Sequence, residues 1–243
     1  MDRTARQNLI EQLREQTARL ESAIRSTRHE APIEDLSLVD LLEGRCWPSG
    51  WLVEWQSTKA GDGVATLALA VASSAIQDHG RLIVIDPLGE FYPPGVAGLG
   101  MPWDRFFVLR LADPPAVWWA WEHILRSEAT TIVVGPMPQG TERQWVRLRW
   151  AADQGNSRGF FWHTPIQAPS AKVDLRLRVT PGSGSASPDP SERSWWVEVL
   201  SVRGPLQGKA AHVVLSHETY PLRLVAELAH STKAPILARG KTG

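Results

Sequence analysis

Residues 50–86 read GWLVEWQSTKAGDGVATLALAVASSAIQDHGRLIVID, and their order sets the fold expected of the whole chain. The run 51–55 is apolar and β-rich, 57–63 is a turn with two glycines, and 64–77 is apolar over about four helical turns. A second β-rich run, 82–85, ends at Asp86. Strand, turn, helix and strand in this order form the opening unit of a nucleotide-binding α/β fold, whose turn wraps a phosphate.

A working phosphate loop has the form G-x-x-x-x-G-K-[ST]. Its glycines let backbone N–H groups converge on the anion, its Lys reaches the outer phosphates, and its hydroxyl holds magnesium. Here the run is Ser57-Thr58-Lys59-Ala60-Gly61-Asp62-Gly63-Val64. Val64 stands where the Lys belongs, and Ala65 stands where the hydroxyl belongs. Asp62 puts a carboxylate where phosphate would sit, and Lys59 lies on the wrong side of the turn. Lys59, Gly61, Asp62, Gly63 and Val64 therefore read as a degenerate phosphate loop with a structural role. No catalytic residue and no cofactor are expected there.

Outward toward the N-terminus, residues 4–25 carry Leu9, Leu13, Leu20 and Ile24 at helical spacings on a charged background. So thin a stripe suits a protruding helix, residues 1–30, that docks on its own domain or on a partner. Residues 36–42 form a short helical segment closed by Gly44.

Toward the C-terminus, strand 105–111, a helix opened by Pro114 and Pro115 with Trp118, Trp121, Ile124 and Leu125 inward, and strand 130–134 follow in turn. Thr141 and Gln144 form a capping box that opens a helix to about residue 154, ahead of strand 159–164. This alternation argues for a mostly parallel sheet with helices on both faces. Residues 173–179 then alternate apolar and charged, as a strand with one wet face does. A polar flexible loop is expected over 181–192, strands over 195–202 and 211–216, and a short helix over 220–229. The divisions expected are thus a docking helix (1–30), an α/β core (35–217), and a C-terminal helix and tail (218–243).

Bulk properties narrow the function classes. The 243 residues suit one sizeable domain with short appendages. The formal charge is zero, yet residues 1–140 carry 12 Lys+Arg against 18 Asp+Glu, and residues 141–243 carry 14 against 8. A basic second half is compatible with an acidic partner or simply a solvated surface. The single Cys46 forms no internal disulfide, no Cys/His spacing suggests a metal, and no apolar run approaches a membrane span of about 20 residues. The expectation is a soluble cytoplasmic protein without a metal. Twelve Trp against two Tyr is an unusual balance, and some of those rings could serve an interface.

Over about residues 35–217 the chain resembles the RecA core. The residues that carry a narrower resemblance, to the ImuA family of RecA-like accessory proteins, are 36–42 ahead of Pro48-Ser49-Gly50, then Gly61-Asp62-Gly63-Val64-Ala65-Thr66, Glu90-Phe91-Tyr92-Pro93-Pro94-Gly95 and WAWEHILRS at 119–127. The resemblance implies a RecA-like α/β core with a mostly parallel central sheet, antiparallel C-terminal strands and an N-terminal helix. It also implies a role in bacterial translesion DNA synthesis, with RecA and a translesion polymerase-type complex as partners and DNA contacted indirectly or weakly.

The departures from RecA matter as much. RecA ATPases place an Asp at the end of the strand matching 130–134, on the metal side, and Gly135 occupies that position here. The family's catalytic Glu falls near Leu88, with Glu90 close but shifted. Phosphoryl transfer needs the charge clamp and metal site that these changes remove. The loops matching RecA's DNA-contacting loops, 136–140 and 165–169, hold no Arg or Lys, although Arg143, Arg147 and Arg149 follow on the next helix. A non-catalytic adaptor is therefore the expected function. The alternatives are a nucleotide-gated ATPase using Lys59 and Glu90, and a damage-induced inhibitor of cell division.

Overall fold

The computed structural model describes residues 37–44, 47–57, 59–76, 80–127, 131–163, 173–182, 192–202, 206–216 and 222–228. All belong to the compact unit Ile33–Gly243. The helix expected over 4–25, with Leu9, Leu13, Leu20 and Ile24, lies outside the described residues, as do most of the 181–192 loop and the tail.

Helix α1 (Leu38–Leu42) is capped by Ser37, whose hydroxyl accepts the Val39 and Asp40 N–H groups. Strand β1 (Leu52–Ser57) is buried along its whole length, and α2 (Val64–Ala75) buries nine of its twelve residues. Then come β2 (Arg81–Ile85), two short 3-10 turns, β3 (Phe106–Leu109) and α3 (Pro114–Arg126). Next are β4 (Thr131–Pro136), α4 (Glu142–Gly155) and β5 (Arg158–His163). Strands β6 (Leu175–Pro181), β7 (Glu192–Val202), β8 (Ala210–Ser216) and β9 (Leu222–Leu228) complete the described chain. The capping box at α4 forms as expected: the Thr141 hydroxyl accepts the Gln144 N–H, and Gln144 accepts the Thr141 N–H.

The nine strands make one sheet in the order β3-β2-β4-β5-β1-β6-β7-β8-β9. The six strands from β3 to β6 are parallel neighbours. From β6 on, each strand runs against the one before it. The architecture is α/β, mostly parallel, with an antiparallel C-terminal extension. Val53 and Trp55 of β1 enter one core with α1 and α2, while Leu52 enters the second core with α3 and α4. Helices thus cover both faces of the parallel block, which is why its strands read as continuous apolar runs.

Two expectations need correction. The segment read as a helix over 220–229 is strand β9, paired antiparallel with β8. Leu222, Leu224, Ala226 and Leu228 alternate with Arg223, Val225 and Glu227, a period of two, and the pairing satisfies backbone groups along the β8 edge. The expected 181–192 loop is shorter at both ends: Pro181 closes β6 and Glu192 opens β7, with Pro181 opposite Trp195 in the ladder.

Candidate functional site

The phosphate-loop position lies between the end of β1 and the start of α2, where ligands sit in open α/β sheets. The chain fills it with its own groups. One Asp62 carboxylate oxygen accepts the Ser57 hydroxyl at 2.6 Å and the Lys59 backbone N–H at 3.1 Å. The Ser57 hydroxyl also lies 3.1 Å from the Lys59 carbonyl. These bonds tie the strand end of the turn to itself. Its helix end, where N–H groups would meet an anion, opens at Gly63 with no side-chain cap.

Trp195 closes the turn from above. It comes from β7, on the far side of β6 from β1, and its buried indole donates Nε1–H to the Asp62 carbonyl at 2.7 Å. Gly63 has φ +81°, and a Cβ there would lie 2.9 Å from the Trp195 ring. Glycine is needed twice over, for the left-handed backbone and for the space the indole occupies. Gly61 is also left-handed, at φ +84°, with open space around it. Val64 is buried in the core packed by α2, so the position of the missing Lys faces the interior. Lys59 is exposed.

The strand position that the RecA resemblance puts on the metal side, Gly135, has no room for a side chain. Gly135 lies within β4, opposite Phe161 of β5. A Cβ on it would meet the Ile85 carbonyl oxygen at 2.8 Å and the Trp121 ring at 3.0 Å, so no carboxylate side chain fits without moving backbone. Asp86, at the end of β2, spends its carboxylate on the following loop: it accepts the Glu90 N–H at 3.0 Å and the Phe91 N–H at 3.2 Å, with Arg110 Nε 3.5 Å away. Glu90 is exposed, and its backbone rather than its side chain is tied in. Among the described residues, no three His, Cys, Asp or Glu side chains converge as a metal site requires.

A polar network that the sequence reading passed over crosses the middle of the sheet. Glu54, on β1, is fully buried. Its Oε1 lies 2.7 Å from His163 Nε2 and accepts Gln56 Nε2 at 2.7 Å, while Oε2 accepts Arg176 Nε at 2.7 Å. Since a carboxylate only accepts, His163 carries its proton on Nε2 in this contact. Burial alone would raise the Glu54 carboxyl; bonds from His163, Gln56 and Arg176, with the Arg176 charge, outweigh it and hold the group below its ordinary value of about 4.5. One strand further on, Arg178 pairs with Glu198 of β7 at 2.9 Å. The signal was present in the sequence: Glu54 and Gln56 share one face of an otherwise apolar strand, two residues apart.

Arg147 and Arg149, read as a possible basic face, are both engaged. Arg147 reaches Glu122 of α3 at 2.6 Å, and Arg149 bonds Asp174 at the foot of β6. No helix among the described residues is long and apolar enough to cross a membrane. Compared with known proteins, the chain matches no protein-family model and none of the curated proteins.

Proposed function

We propose that the chain is a non-catalytic, RecA-like adaptor that assists translesion DNA synthesis in a bacterial DNA-damage response through protein–protein contacts. One observation carries the reading: the loop at the phosphate position is filled from within by the Asp62 carboxylate and covered by the Trp195 indole. A turn held by its own carboxylate and covered by its own indole keeps its shape with no ligand bound, which is what a scaffold needs.

Two further observations support it. Parallel strands joined by helices and followed by antiparallel strands are what the RecA resemblance implies for residues 35–217. Gly135 is packed on Ile85 and Trp121, so the metal-side Asp of RecA ATPases has no room there. The ATPase alternative asks Lys59 and Glu90 to act together, and both side chains are exposed on separate loops. The partners are RecA and a translesion polymerase-type complex in the cytoplasm, with Leu9, Leu13, Leu20 and Ile24 as the docking stripe.

The test is retention of the purified protein on beads carrying RecA-coated single-stranded DNA, beside beads carrying bare duplex DNA. The expected result is retention on the RecA-coated beads well above bare DNA, reduced when Leu13 and Leu20 are changed to Ser. Equal retention on both kinds of bead, or none, would overturn the adaptor reading.

A further inference from the structure

The geometry points to a second binding surface, for single-stranded nucleic acid, on the solvent side of α3 and α4, built from Trp119, Arg126, Arg143, Arg147 and Trp150. It does not rest on the adaptor reading. The two helices lie side by side on one face of the sheet, joined by the edge-on contact of Trp118 with Trp145 and by the Glu122–Arg147 pair. Their inward sides are apolar: Val117, Ala120, Trp121 and Leu125 on α3, and Trp145, Leu148, Ala151 and Ala152 on α4.

Their outward sides break the rule that large aromatic rings are buried. Trp119 is 64% exposed and Trp150 46% exposed. Trp119 stacks on His123 at 4.6 Å with the planes 19° apart, so one indole face is supported and the other is open. A flat ring held on a helix with a free face is what base stacking uses, and it tolerates any base because each has a π-face. Trp118, the preceding residue, shows the contrasting packing role: its Nε1–H is spent on the Gln139 carbonyl and its ring on Trp145.

Charge on this surface suits phosphate. Arg126 and Arg147 each give one terminal nitrogen to Glu122, at 2.7 and 2.6 Å, and so share a single carboxylate. Burial would raise that carboxyl, but the two arginine bonds and charges outweigh it and keep it ionised. The trio is net positive, and each guanidinium, anchored to Glu122 through one nitrogen, carries further N–H donors. Arg143 is exposed in the first turn of α4, where the helix dipole adds positive potential. Glu142 is the carboxylate of that turn, so with Glu122 on α3 the surface sets three guanidiniums against two carboxylates. A single strand offers unstacked bases to the indoles and phosphates to the arginines, whereas a duplex hides its base faces.

The test is a titration of the whole protein into a fluorescein-labelled dT oligonucleotide of about 30 residues, long enough for the usual footprint of a single-strand binder. Anisotropy and tryptophan quenching are followed at several salt concentrations. Saturable binding is expected, weakened about tenfold or more in Trp119→Ala/Trp150→Ala. In Arg143→Gln/Arg147→Gln the slope of log K against log salt should fall by about 1.4. Trp103→Ala, which removes an exposed indole elsewhere, should bind as the wild type does, and all variants should keep the wild-type unfolding midpoint. No binding at low salt, binding unchanged in both double variants, or equal competition by duplex DNA would overturn the proposal. So would capture of an acidic protein by this face with no oligonucleotide binding.

Discussion

Glu54 places a negative charge in the centre of a parallel sheet, where an unpaired carboxylate could not remain ionised. It is tolerated because His163, Gln56 and Arg176 converge on it from β5, β1 and β6. Replacing it with Gln keeps the shape but removes the charge that Arg176 and His163 meet, a loss of about 3 kcal/mol by the usual cost of breaking a buried pair. Urea unfolding at neutral pH checks this, and a loss near zero would show that the network adds no stability. The pH dependence has a fixed sign. The folded Glu54 carboxyl titrates below about 4.5, so its stabilisation is complete above that value and is lost as pH falls through the lower, folded one. Burial also lowers the His212 imidazole from its ordinary 6.5, and its Nε2 finds no partner among the described residues, so stability should already decline as pH falls below 6.5. Unfolding midpoints measured from pH 7 to 3 should fall across both windows, and Glu54→Gln should lose only the lower part of the decline.

At the scale of elements, the loop between β1 and α2 is a turn bonded to itself through Asp62 and covered by Trp195. Installing the missing groups with Val64→Lys/Ala65→Thr should produce neither ATP binding nor turnover. The new Lys enters at a buried position, Asp62 still ties Ser57 and the Lys59 N–H into the turn, and Gly135 supplies no carboxylate. The same variant should unfold at a lower temperature than the wild type, since a buried Lys replaces a core Val. Magnesium-dependent ATP hydrolysis by the double variant would show that the loop is competent and lacks only its side chains. Elements whose signal is local were legible in the sequence: the α4 capping box, the all-round apolar α2, the alternation of β6. Strand β9 was not, because Leu222–Leu228 is short and its period of two competes with a run of good helix formers, Leu, Arg, Ala and Glu. What decides it is the open edge of β8, a tertiary fact.

At the scale of the molecule, the parallel block with helices on both faces could be expected from the order of apolar runs, while the closing of the loop could not. Trp195 meets Asp62 across 133 residues of sequence. No spacing or composition rule marks one tryptophan among twelve as the one that seals a distant turn. The Glu54 network was missed for a related reason: a single acidic residue in a strand is visible, but its three donors are assembled only when β5, β1 and β6 lie side by side. That Val64 and Ala65 stand where the Lys and hydroxyl would be was legible from the sequence, and the structure adds that Val64 is buried and that Trp195 covers Gly63. That occupied loop is the centre of the account, and calorimetric titration of magnesium ATP into the wild-type protein tests it most directly. The account predicts no saturable heat at millimolar nucleotide. Stoichiometric binding that disappears in Lys59→Ala would contradict it and make the loop a working site.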